Sequence, residues 1–158
     1  MEIDRTEKEF YVENKNGVHG RTRSAEKIEM YLNTSVDGWQ EMLKTQFSHE
    51  YGHTYFSLIT GLKYESDIEN WRHFLLEAHG QHFSEKVYPE IEVDWRTRIS
   101  REEASEKWPE IRPEMGEKLS TTRIVGSRDY PVYFGYSLSY YIGTELLKKH
   151  ELDELPYL

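Results

Sequence analysis

A short motif of two histidines and one glutamate is the feature of this chain that could do chemistry. His49, Glu50 and His53 form the pattern HExxH within residues 40–60, a stretch that predicts one uninterrupted helix. Positions i and i+4 of a helix lie on the same face, so both imidazoles can reach one metal ion. The Glu50 carboxylate then lies beside the metal, where it can take a proton from water. The motif predicts a zinc-dependent hydrolase.

Apolar residues flank the motif at helical spacing and predict that its helix is largely buried. The predicted apolar side consists of Trp39, Leu43, Phe47 and Tyr51, continued by Phe56, Leu58 and Ile59. Two histidines and a glutamate on a buried helix need compensation for the water that they lose. Metal binding would supply that compensation.

The residues after the motif bear on the third ligand, because catalytic zinc takes three protein ligands and leaves a fourth position for water. A metzincin would continue with Gly at position 56 and His at position 59. The chain has Phe56 and Ile59 there, which excludes that class. The other common third ligand is a glutamate from a following helix. Glu77 is favoured because it falls at mid-helix beside Phe74 and Ala78, where a buried carboxylate needs a partner such as a metal ion.

Three histidines on the same predicted helix stay open as alternative third ligands: His73, His79 and His82. They could equally pack at a helix interface or orient a ligand through a hydrogen bond. A capping box at residues 66–69 is expected to begin this helix. The nearby acidic residues Glu65, Asp67 and Glu69 are better explained as capping and helix-dipole groups. The predicted apolar stripe of the helix consists of Ile68, Trp71, Leu75 and Leu76.

Residues 47–53, 77–85 and 135–140 together resemble a family of predicted zinc-dependent proteases of the gluzincin type. Members of that family share an HEYxH helix, a second helix of the form EGxAxxFxE and a late Gly-Tyr segment leading the last helix. In the second pattern, Ala78 stands where the family has Gly, and Gly80 stands where it has Ala. Both residues are small, so close helix packing is still possible.

The resemblance covers nearly the whole chain and implies a zinc peptidase. It implies one zinc ion per chain, with His49, His53 and Glu77 as ligands and Glu50 as the catalytic base. In the late segment, Ser139 stands where the family usually has a second Gly.

Two tyrosines one turn apart in the last predicted helix match the Gly-Tyr segment. We expect Tyr136, with Tyr140 second, to be the donor that stabilises the oxyanion of the tetrahedral intermediate. Both tyrosines could instead pack in the core or bond to carboxylates. Gln81 and Glu85 could orient a ligating histidine.

Composition predicts one globular domain over residues 1–158. The net charge of −9 argues against non-specific binding to nucleic acid or to an anionic membrane. The resemblance to zinc peptidases implies a peptide or protein substrate as the partner. The chain has no cysteine, which excludes disulfides and thiolate metal sites. Its start carries no apolar signal segment, and a cytoplasmic location is expected.

The first part of the chain, residues 1–36, is expected to be mostly strands. Alternating patterns at residues 9–14 and 27–33 predict a small antiparallel sheet. Asn16-Gly17 predicts a turn between these strands, and Gly20 a second bend. Residues 27–33 could lie along the active-site cleft and pair with an extended substrate, or they could be purely structural.

The rest of the chain, residues 37–158, is expected to be mostly helical. A capping box at residues 100–103 predicts a short helix that ends before Pro109. A loop is expected at residues 126–129, and a final helix at residues 134–149. The predicted fold class is therefore α+β, with a small N-terminal antiparallel sheet followed by a mainly helical zincin-like catalytic domain.

Two functions from different classes follow from these residues. The first is a zinc metallopeptidase that uses Glu50 as general base and acid. The alternative is a catalytically weak or inactive zinc-binding module with a regulatory or peptide-binding role, whose cleft could be closed by its own tail, residues 151–158. Hydrolysis of a non-peptide amide is a third interpretation.

Overall fold

Two long helices and a β-hairpin form the part of the fold that positions the motif. The computed structural model describes residues 12–62, 68–118 and 130–158. In chain order its strands and helices are β1 (Val18–Ser24), β2 (Lys27–Leu32), α1 (Trp39–Thr60), α2 (Asn70–Val87), α3 (Arg101–Ile111) and α4 (Phe134–Leu146). Short 3-10 helices occupy Asp94–Arg96, Arg112–Glu114 and Leu152–Tyr157. The prediction of an α+β chain with a small antiparallel sheet is confirmed.

The hairpin pairs β1 with β2 in antiparallel register, from Val18 opposite Leu32 to Thr22 opposite Ile28. The predicted strand at residues 9–14 is wrong where the structure describes it, because residues 12–15 are helical; its earlier part lies outside the described residues. The predicted turn at Asn16-Gly17 is confirmed, with both residues at positive φ. It leads directly into β1, so Gly20 lies within a strand and not at a bend.

The buried face of α1 is polar, contrary to the sequence prediction. The helix occupies the predicted stretch, but Phe47 and Tyr51 are each 49% exposed and Leu58 is 68% exposed. Polar and small residues are buried in their place: Thr45, Gln46, Ser48, His49, Glu50, Gly52, His53 and Ser57. The prediction is wrong for Phe47, Tyr51 and Leu58, because β1 and α2 pack on the side of α1 that carries the motif. It is confirmed for Phe56, which is fully buried, and Trp39 and Leu43 pack against the core.

Helix α2 begins at Asn70 without a side-chain cap. Its first amides instead donate to the chain around residue 116, from Asn70 N to the Glu117 carbonyl and from Trp71 N to the Met115 carbonyl. The predicted capping box is therefore wrong for Glu69, and its first residues, 66 and 67, lie outside the described part. Of the predicted apolar stripe, Ile68, Leu75 and Leu76 are buried with Phe56, whereas Trp71 is 37% exposed.

Helices α3 and α4 complete the core on the other side of α2. The predicted capping box of α3 is confirmed, with Ser100 and Glu103 each bonding to the other's backbone N–H. The helix continues through Pro109 to Ile111, so the predicted end is wrong. Pro109 lies in the last turn, where it removes one amide hydrogen bond, and Ile111 at the end of the helix is buried in the same core cluster as Phe134.

Helix α4 ends at Leu146, three residues before its predicted end, and residues 147–149 form a turn. The predicted loop at residues 126–129 lies outside the described part of the chain. Among the described helices, none combines the length and the apolar character needed to cross a membrane.

Candidate metal centre

Two glycines at the crossing of α1 and α2 allow these helices to approach closely. A Cβ atom on Gly52 would lie 2.9 Å from the Cα of Gly80. A Cβ atom on Gly80 would lie 2.9 Å from His53 Cε1 and 3.0 Å from the His49 carbonyl oxygen. These distances are shorter than ordinary contact between non-bonded atoms. The missing side chains therefore let a carboxylate on α2 reach the histidines on α1.

Glu77 on α2 contacts both histidines of the motif. Its Oε2 lies 3.3 Å from His49 Nε2, and its Oε1 lies 3.6 Å from His53 Nε2. The three side chains are buried, with 3% to 5% of each residue exposed. The structure thus brings together the three residues that the sequence predicted as metal ligands.

The environment of His53 and Glu77 favours the protonation states that a metal ion requires. Burial and, to a smaller extent, the charge of His49 lower the pKa of His53 to about 3, so His53 is neutral at physiological pH. Burial would raise the pKa of Glu77, but the imidazoles of His53, His49 and His73 hold it well below its usual range. A neutral imidazole and an ionised carboxylate are the forms that coordinate metals.

One oxygen of Glu77 makes only a poorly aligned contact. Within the described residues, Oε2 of Glu77 is buried and lies 3.3 Å from His49 Nε2, but it accepts no hydrogen bond of good geometry. A buried charge whose hydrogen bonds are incomplete is costly, and native structures rarely leave one without an explanation such as an ion. The donor set and this oxygen fit a cation between α1 and α2.

Glu50 is held differently, by the strand β1. Thr22 donates its backbone N–H to Glu50 Oε2 at 2.7 Å and its hydroxyl to the same oxygen at 2.8 Å. A Cβ atom on Gly20 would lie 2.5 Å from Glu50 Cγ, so the strand passes directly over this side chain. One carboxylate oxygen of Glu50 lies within 4.8 Å of a nitrogen of His49 and of His53. The Thr22 hydroxyl also lies 2.9 Å from the Glu50 carbonyl oxygen, so Thr22 bonds to Oε2 and the backbone of Glu50 and not to Oε1.

The described contacts of Glu50 with the hairpin come from β1. The sequence left open whether residues 27–33 lie along the cleft or are purely structural, and Lys27–Leu32 of that segment forms a strand. The contacts with Glu50, however, come from Gly20 and Thr22 of β1. No pattern in the sequence pointed to these two residues, because their importance arises from the packing of β1 on α1.

The three alternative histidines lie at different places along α2. His73 Nε2 is 3.5 Å from Glu77 Oε1, so His73 supports the favoured ligand from one turn away. His79 is buried among the rings of Tyr55, Phe56 and Phe83. In His82, Nε2 lies 3.0 Å from the Tyr140 carbonyl oxygen, and Nδ1 lies 3.2 Å from Glu85 Oε2.

The structure separates the two tyrosines that were predicted as oxyanion donors. The Tyr136 ring lies 6.4 Å from the His49 ring, between centroids. The Tyr140 hydroxyl donates to Glu85 at 2.8 Å, and its ring stacks on His82. Burial, reinforced by Glu85, raises the pKa of Tyr140 to about 12. The Tyr136 ring contacts that of His49 whereas the Tyr140 hydroxyl is bonded to Glu85, and the role of either tyrosine as a donor stays a prediction.

Gln81 and Glu85 contact these tyrosines. Gln81 donates from Nε2 to the Tyr136 carbonyl oxygen at 2.9 Å. Glu85 accepts from Tyr140 and lies against His82. Their described hydrogen bonds therefore position α4 on α2 and do not reach the histidines of the motif.

Sequence reasoning also missed Lys15. This lysine is only 6% exposed, and the negative charges of Glu50 and Glu77 both act on it. It precedes the Asn16-Gly17 turn, in a polar segment whose sequence gives no indication of burial.

Replacing Gly80 by Ala is expected to weaken metal binding. The added methyl group would push His53 and the His49 backbone away from Glu77. Overpacking costs about 1–3 kcal/mol, whereas the better helix propensity of Ala returns about 1 kcal/mol. We therefore expect a net loss of stability in chemical denaturation and a lower affinity in a chelator competition.

Gly116→Ala provides the matched control, because a Cβ atom there meets nothing within 4 Å. Its stability and metal affinity should equal those of the wild type. A Gly80→Ala protein with undiminished metal affinity would contradict the assigned close approach of α1 and α2.

Comparisons with protein-family models, with curated proteins and with solved structures give no match to this chain. The gluzincin resemblance therefore stays a prediction, and the geometry of the candidate metal centre is the evidence that bears on function.

Proposed function

We propose that this protein is a zinc-dependent metallopeptidase with a zincin-like catalytic domain of the gluzincin type. The observation that carries the proposal is the position of Glu77. Its two carboxylate oxygens face the Nε2 atoms of His49 and His53 from a different helix. Two imidazoles and one carboxylate are the ligand set of several catalytic zinc sites.

The proposed metal ligands are His49, His53 and Glu77. The neutral imidazole of His53 and the ionised carboxylate of Glu77 suit zinc, and the incomplete hydrogen bonding of Glu77 Oε2 supports a cation at this position. A zinc ion bound there would supply Lewis-acid activation of water and polarisation of the substrate carbonyl.

Glu50 is proposed to move the protons of the reaction. It would take a proton on Oε1 from the attacking water and deliver it to the leaving amine. Thr22 fixes the other oxygen with two hydrogen bonds, so the carboxylate is held in one orientation before substrate arrives. Tyr136, whose ring lies near His49, is the proposed donor to the oxyanion.

Removing the metal is expected to abolish peptide hydrolysis and to lower the melting temperature. Elemental analysis of gently purified protein should give one zinc ion per chain. A ligand that binds only the folded state stabilises it by about 4 kcal/mol when present at a thousand times its Kd. Treatment with a chelator should therefore lower Tm and stop cleavage of a peptide library, and added zinc should restore both.

Two outcomes would contradict different parts of the proposal. Protein that contains no metal and takes none up on addition would refute the ligand assignment. Protein that binds zinc but whose peptide cleavage is insensitive to chelation would refute the assignment of zinc to catalysis.

A further inference from the structure

Lys15 is a buried lysine whose ammonium group lies against three aromatic rings. Its Nζ is 5.3 Å from the centroid of the Trp95 ring, 5.4 Å from that of Tyr136 and 5.9 Å from that of Tyr133. Each distance is within the range of about 6 Å over which the electron-rich face of a ring attracts a cation. We call these three rings the aromatic cage. Lys15 therefore joins the segment before β1 to the Asp94–Arg96 turn and to the start of α4.

The rings of the cage also contact one another. Tyr133 meets Tyr136 edge to face, with 5.6 Å between the ring centroids, and its ring lies 6.4 Å from that of Trp95. Trp95 and Tyr133 are almost fully buried, whereas Tyr136 is partly exposed. Trp95 and Tyr133 thus form the inner wall of the cage, and Tyr136 is its least buried ring.

The backbone at Tyr133 is held in an unfavourable conformation. Tyr133 is the N-cap of α4, with φ 67° and ψ 14° in the left-handed region. A residue other than glycine rarely adopts this region, persists there only where the surroundings hold it, and is found most often at functional sites. Tyr136 follows in the first turn of α4. The cage and the strained cap therefore fix the turn that carries the proposed oxyanion donor.

Tyr136 connects the cage to the candidate metal centre. Its ring lies 6.4 Å from the His49 ring, and its carbonyl oxygen accepts from Gln81 on α2. Burial lowers the pKa of Lys15, and the charges of Glu50 and Glu77 oppose that lowering. The rings of the cage and the carboxylates of the site thus favour the same charged form of Lys15.

We propose that Lys15 is a positioning residue that holds the Tyr136 ring beside His49. This inference rests on the proposed peptidase function, in which Tyr136 is the donor to the oxyanion. Such a donor stabilises the transition state most when it is already in place, because it then costs no reorganisation during the reaction. Loss of the Lys15 charge should therefore lower kcat and leave KM and zinc affinity nearly unchanged.

Lys15→Met tests the cation, because Met has nearly the same length without the charge. Its kcat for a peptide substrate is expected to fall about tenfold, the factor that a desolvated contact between a cation and a ring can supply. Lys15→Arg keeps a cation for the rings and should retain most of the rate. Lys44→Met, at an exposed position of α1, should match the wild type. Lys15→Met has no charge to desolvate, so it is expected to fold, and chemical denaturation checks this.

A double substitution shows whether Lys15 acts through Tyr136. Tyr136→Phe keeps the ring and removes the hydroxyl of the proposed donor, so it should lower kcat by itself. In the Tyr136→Phe protein, Lys15→Met should then cause little further loss, because the two residues act as one unit. The same tenfold loss in both backgrounds, or a wild-type kcat in either single variant, would overturn the role of Lys15.

The position of Tyr136 can also be measured without catalysis. In NMR spectra of the full chain, a nuclear Overhauser effect between the ring protons of Tyr136 and His49 is expected in the wild type and in Lys15→Arg. It should be weaker or lost in Lys15→Met, and an unchanged effect there would overturn the positioning role even if the protein is a peptidase. An effect that depends on Lys15, in protein without zinc-dependent cleavage, would support the positioning while refuting the peptidase function.

Discussion

Replacing Glu50 by Gln is expected to reduce peptide hydrolysis by about 10²–10⁴-fold, the usual contribution of a general base. The amide has nearly the same shape as the carboxylate, but it cannot take a proton from water. Its carbonyl oxygen can still accept from the Thr22 N–H, so β1 should stay in place on α1. The measurements are the cleavage rate of a peptide substrate and the zinc content per chain, which should not change.

Glu41→Gln is the matched control, because Glu41 is an exposed glutamate in the first turn of the same helix. Its cleavage rate should equal that of the wild type. If Glu50→Gln retains the wild-type rate, Glu50 is not the base. If the wild type and Glu50→Gln both bind zinc and cleave only at the background rate, the alternative function is supported, namely a zinc-binding module without efficient catalysis.

The sequence predicted those features of the site that depend on local geometry. The spacing of His49 and His53 places both imidazoles on one face of any regular helix, so the prediction needed only that α1 be helical. Glu77 was favoured because a carboxylate between apolar neighbours at mid-helix needs a partner when it is buried. The structure buries Glu77 and brings it to both histidines.

The errors concern which side of an element other elements cover. Phe47 and Tyr51 predicted an apolar buried face of α1, yet both are half exposed because the polar face receives β1 and α2. Strand β1 buries Val18, Gly20 and Thr22, an inward face with only one strongly apolar residue. Its position follows from contact with Glu50, which is distant in sequence, so no local pattern could reveal it.

The burial of Lys15 likewise depends on contacts between residues that are distant in the sequence. Lysine is almost never fully buried unless it is paired, so a sequence gives no reason to expect it inside. Three rings from two distant segments, Asp94–Arg96 and the region around α4, create its environment. Only the tertiary structure places these rings and the carboxylates of the site around one ammonium.

Replacing Glu77 by Gln is expected to lower zinc affinity by more than about 100-fold. Loss of a residue that merely supports a ligand costs about 10–100-fold, and loss of a ligand should cost more. The substitution removes the only charge among the three proposed ligands while keeping the size of the side chain. A neutral amide in the same position should also remove the cost of a buried charge whose hydrogen bonds are incomplete, so the metal-free protein is expected to remain folded.

A competition with a chromophoric chelator measures this affinity, and two variants on the same helix make the result specific. Glu85→Gln removes a carboxylate that bonds to Tyr140 and His82, and it should leave zinc affinity unchanged. His73→Asn removes the imidazole beside Glu77 Oε1 and should cost about 10–100-fold, as expected for a supporting residue. If His73→Asn instead caused the larger loss and Glu77→Gln the smaller, His73 would be the third ligand. The close contact of Glu77 with both motif histidines would then reflect an ion-pair network around the metal.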